Sequence, residues 1–151
     1  MLFNDAPTRY HRIYIVILSV LLALFCFRVL AQLLQLYIKV PFLPPFDAWQ
    51  SGAVPYKGLL ISQILIIVFY GWILQRLASD RIRPSRKQGW IFFIIGLIYF
   101  LVMAVRLFVG LTGLSGHYWF RSYLPTLFHF VISGYLIVVG YFHLQATARR
   151  S

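Results

Sequence analysis

Residues 13–38 read IYIVILSVLLALFCFRVLAQLLQLYI, an apolar run long enough to cross a bilayer core, broken by one arginine and two glutamines. Such a run is too long for a signal-peptide core and no small-residue cleavage site follows it, so it is expected to stay as an anchor. Working outward, three further apolar stretches of similar length follow at about 58–77, 90–114 and 123–144. The fold expected is therefore all-α, a four-helix transmembrane bundle in up-down-up-down order, forming one transmembrane domain over 1–151. A proline-rich outer loop spans 39–57, and a basic cytoplasmic loop spans 78–89.

The composition fits. Hydrophobic residues make up 61% of the chain, and a formal net charge of +11 comes from 14 basic residues set against only 3 acidic ones. The basic residues flank the apolar runs instead of forming a stripe among polar residues, so no nucleic-acid partner is expected. They are also unevenly shared. Arg9, Arg12, Arg76, Arg81, Arg83, Arg86, Lys87, Arg149 and Arg150 fall on one side, against Lys39, Lys57 and Arg121 on the other. The positive-inside rule then makes both termini cytoplasmic, in a bacterial-type inner (plasma) membrane. Trp72 and Trp90 at one boundary, with Trp49 and Trp119 at the other, agree with aromatic belts. Trp49 and Pro55 before the second helix echo Trp119 and Pro125 before the fourth, and Gln75 echoes Gln145, which suggests two duplicated hairpins.

Several chemistries are excluded. Cys26 is the only cysteine, so neither a disulfide nor a dithiol redox pair can form within the chain. No phosphate-binding glycine loop, nucleophile elbow or zinc-protease motif is present. Four helices are also too few for alternating access without oligomerisation.

The informative residues are the polar ones inside the spans, where each charge costs roughly 2.5–3.5 kcal/mol on insertion scales. On the first helix Arg28, Gln32, Gln35 and Lys39 share one face. Counted by depth, Arg28, Gln63, Arg106 and His129 fall in one layer below the outer surface, one from each helix. No carboxylate lies in any span. Asp47 in the outer loop is the single acidic candidate to neutralise an arginine there; otherwise the layer would hold an anionic guest such as a lipid phosphate. The plainer alternative is that both arginines bond to glutamines and backbone carbonyls and stitch helices together. The candidate ligand-binding set is Arg28, Gln32, Gln63, Arg106, His129, Asp47 and Trp119, with no catalytic set and no metal site expected.

His129 and His143 share a face of the fourth helix, fourteen residues apart. That spacing is similar to one helix of a di-haem membrane cytochrome b, a resemblance that covers two residues. Facing ligands would have to come from His11 and His117, at a helix end and in a turn, so haem is a weak candidate. A quinone beside Arg28, Arg106, His129, Tyr99 and Trp119 is the other redox option. No cofactor is expected.

The function expected is a non-catalytic accessory or structural subunit of a larger membrane complex, with membrane lipids, other membrane subunits or further copies of itself as partners. Lipid would sit in the outer polar layer. The alternative is a small redox or lipid-modifying enzyme acting on a quinone-like substrate.

Overall fold

The computed structural model describes residues 5–50, 52, 54–114, 117, 120 and 122–149, the first five of these by backbone alone. It is all-helical. Helix α1 spans Asp5–Tyr37, α2 Tyr56–Ala78, α3 Arg86–Thr112 and α4 Tyr123–Ala148, with one turn of 3-10 helix at Phe46–Trp49 between α1 and α2. All four α-helices are long and apolar enough to cross a membrane.

The helices outrun the apolar stretches at several ends. α1 starts at Asp5, before the expected start at Ile13, because the one breaker there is Pro7, and a proline in the first turn has no intrahelical N–H to lose. Pro125 sits likewise in the first turn of α4, whereas Pro55 stands just before α2. α3 begins at Ser85, whose hydroxyl accepts from the Gln88 N–H, and it ends at Gly113, whose φ of 67° is the left-handed conformation that closes helices.

Packing is uneven. Leu18, Phe25 and Val29 of α1 meet Tyr70, Ile73 and Leu77 of α2 and Ile132, Tyr135, Val139 and Phe142 of α4 in one apolar cluster. α2 and α4 are tied together by Tyr70 and Tyr135. Their rings stack at 3.9 Å, Tyr70 donates to the Ile132 carbonyl at 3.0 Å, and Tyr135 donates to the Tyr70 carbonyl at 2.7 Å. α3 joins through backbone approach to α4: a Cβ on Gly140 would stand 2.5 Å from the Phe93 nitrogen, and one on Gly96 2.9 Å from Ile137. Small residues at such a seam are how membrane helices gain contact without a hydrophobic driving force. Among the described residues α3 packs along α4 and not along α2, so α4 is left as a floor between them.

Side-chain contacts gather particular helix ends. Tyr10 of α1 donates to Gln145 of α4 at 2.7 Å, His11 meets Asp80 beyond α2 at 2.9 Å, and the Ser85 N–H before α3 donates to Nδ1 of His143 on α4 at 3.2 Å.

Candidate functional site

The polar face of α1 is used residue by residue, and differently at each turn. Gln35 clamps the proline-rich loop: the carbonyls of Val40, Leu43 and Pro44 converge on its Nε2 at 3.0, 2.8 and 2.8 Å, and its Oε1 accepts from the Val40 N–H at 2.8 Å. The loop needs such a clamp because its prolines supply no N–H to a regular ladder. Trp49, buried at the end of the 3-10 turn, donates its indole N–H to the Pro44 carbonyl at 2.9 Å. Arg28, also buried, donates to the Trp49 carbonyl at 2.6 Å and lies 5.9 Å from the centre of the Phe128 ring.

Asp47 does not provide the countercharge to Arg28. It is exposed, and the loop answers the guanidinium with the Trp49 carbonyl instead. The 3-10 turn accounts for this, since it carries Trp49 inward as Asp47 faces out. Lys39 is exposed, and Trp119 lies outside the described residues.

Between the four helices and the loop there is a cavity of about 230 Å³, with Arg28, Gln63, Tyr99 of α3 and His129 in its wall beside Phe25, Leu59 and Ile132. Three members of the expected layer therefore line one space. Arg106 is buried nearby on α3, where it adjoins a separate apolar recess with Leu101 and Phe120. The fourth member of the expected layer, Arg106, does not line this cavity. His129 is held by Tyr99, whose hydroxyl lies 2.5 Å from Nδ1.

The buried polar atoms that lack a hydrogen-bond partner among the described residues are both ends of the Gln32 amide, both ends of the Gln63 amide and the Tyr56 hydroxyl. Gln32 belongs to α1, and Tyr56 and Gln63 belong to α2. Gln32 follows Arg28 by one turn, and Tyr56 and Gln63 are seven residues apart on α2. An unpaired buried polar group costs about 1–3 kcal/mol.

The histidines are dispersed. His11 pairs with Asp80, His143 accepts from the Ser85 N–H, His129 pairs with Tyr99, and His117 is exposed. Among the described residues no three His, Cys, Asp or Glu side chains converge as metal ligands.

Tyr56 and the clamp at Gln35 were not singled out from sequence as site features. A seven-residue step from Tyr56 to Gln63 is the signal that carries the first. The second has none, because the carbonyls that Gln35 binds come from a loop whose path is invisible in the sequence. The chain matches no protein-family model, and neither a curated protein nor a solved structure is significantly similar to it.

Proposed function

We propose that the protein is a non-catalytic membrane subunit that holds the polar head of a membrane amphiphile in the cavity lined by Arg28 and Gln63, and that docks in the membrane plane beside a larger assembly. The observation that carries this is the Gln63 amide, buried and without a partner among the described residues, in the wall of a cavity that also presents a guanidinium. A phosphate or ester oxygen would accept from Arg28 and Gln63, and the apolar residues around them would take the chain. The same oxygens cannot come from Asp47, which is exposed.

The bundle is read as up-down-up-down with both termini on the cytoplasmic side of a bacterial-type inner membrane. This is supported by the contacts of Tyr10 with Gln145 and of His11 with Asp80, together with the excess of basic residues at that end. The outward apolar faces, among them Ile91, Ile98 and Val105 of α3, suit lipid or a partner helix.

Gentle purification from native membrane, followed by extraction and mass analysis, tests the site. An amphiphile is expected at about one per chain, and Gln63→Leu should lower its recovery about tenfold without lowering thermal stability, because the substitution also removes an unpaired amide. Recovery unchanged in Gln63→Leu would sink the assignment.

A second function is favoured by one contact, the Tyr99–His129 pair at the cavity wall. It forms a donor and acceptor couple of the kind that moves a proton to a bound quinone-like substrate, with Arg28 and Arg106 stabilising developing negative charge. Arg106→Ala with His129→Ala should then abolish quinone reduction to quinol in proteoliposomes supplied with an added electron donor, the source of the two electrons per quinone, whereas a subunit would keep its assembly with partners.

A further inference from the structure

At the other end of the bundle, the basic loop does more than flank two spans. α2 ends in a left-handed turn at Asp80, φ 51°, in which the Arg81 N–H donates back to the Arg76 carbonyl at 2.9 Å and the Asp80 N–H to the Leu77 carbonyl at 3.2 Å. That closure folds the loop back over the helix end. Ile82 packs against the apolar cluster between two arginines, and the Ser85 N–H is fixed by His143. Arg81 and Arg83 are thereby brought to Arg76 around a cavity of about 530 Å³.

Its chemistry is one-sided. Three guanidiniums share the wall, and no acidic residue among the described residues lines it. Asp80, the nearby carboxylate, is turned to His11 at 2.9 Å. Arg76 lies 4.4 Å over the Trp72 ring, which holds its plane in place. Behind the arginines the floor is apolar, formed by Ile73 of α2, Phe92 of α3 and the buried Val139 of α4.

We infer that this cavity binds the phosphate of an anionic phospholipid, with the head group among Arg76, Arg81 and Arg83 and the upper acyl chain over Ile73, Phe92 and Val139. Like charges brought together without a countercharge repel, and a phosphate relieves that repulsion while accepting paired N–H bonds from guanidinium forks. The apolar floor selects a lipid over a free phosphate. Basic pockets between helix ends at the membrane surface suit head groups in just this way. The site is independent of the one containing Gln63, shares no residue with it, and stands or falls separately.

The test is lipid binding to the 151-residue chain, followed by native mass spectrometry, with phosphatidylglycerol, phosphatidylcholine and inorganic phosphate as probes. Phosphatidylglycerol is expected to bind about tenfold more tightly than phosphatidylcholine, and Arg76→Gln with Arg83→Gln should remove that preference. Arg86→Gln with Lys87→Gln deletes the same charge from exposed positions outside the cavity and should leave the preference within about threefold of the native chain. An equal loss in both pairs would mean diffuse surface charge and overturn the site. Displacement of the lipid by millimolar inorganic phosphate would overturn the lipid assignment. Should the glutamine pair fail to fold, Arg76→Lys with Arg83→Lys supplies the readout: a several-fold loss supports guanidinium forks, and no loss overturns them.

Discussion

Three glutamines in the same two helices meet three fates, and the difference lies in what each amide can reach. Gln35 finds the carbonyls of a folded loop, whereas among the described residues Gln32 is fully buried without a partner and Gln63 is unpartnered at a cavity wall. Sequence spacing placed Arg28, Gln32 and Gln35 on one face but could not rank them, because a backbone carbonyl is available to any side chain until the chain path is known. The same ignorance made Asp47 a candidate partner for an arginine of the layer. Gln35→Ala should release the loop, costing about 2–3 kcal/mol by leaving carbonyls and an N–H without partners. Thermal unfolding in micelles and faster hydrogen exchange at the Val40 amide would register it, and an unchanged exchange rate would contradict the clamp.

At the scale of elements, the seam between α3 and α4 makes the sharpest claim. Gly140 and Gly134 lie on the same helix, yet a Cβ on the first would press on the Phe93 backbone whereas one on the second meets nothing within 4 Å. Gly140→Ala is therefore expected to part the helices and cost about 1–3 kcal/mol. Gly134→Ala should be neutral or stabilising by up to about 1 kcal/mol, since alanine is the better helix former. Paired thermal melts in detergent decide it, and equal effects would remove the seam from the account. The stacked tyrosines that join α2 to α4 could not be anticipated, since Tyr70 and Tyr135 are two among ten in an aromatic-rich chain.

For the whole molecule, the order of crossings is open to direct measurement. In a Cys26→Ser background, single cysteines at Ser79, Phe42 and Ala148 report the loop after α2, the proline-rich loop and the end of α4, all exposed positions. A membrane-impermeant maleimide should label Ser79→Cys and Ala148→Cys from one side of sealed vesicles and Phe42→Cys from the other. Labelling of all three from one side would rule out the up-down-up-down order. The polar layers then divide the bundle into two ends, one with Arg28 and Gln63, the other with Arg76, Arg81 and Arg83.

The sequence by itself determined the four apolar helices, because span length and hydrophobicity are local quantities that a linear chain carries openly. It also determined that Arg28, Gln63 and His129 stand at a shared level, since helical rise converts residue number into depth. Only the tertiary structure decided which of them line one cavity, that Arg106 stands beside it, that the loop meets Arg28 with the Trp49 carbonyl, and that the basic loop closes over a cavity of its own. Those outcomes depend on how each helix is rotated about its axis and how each loop returns, and packing between distant residues sets both.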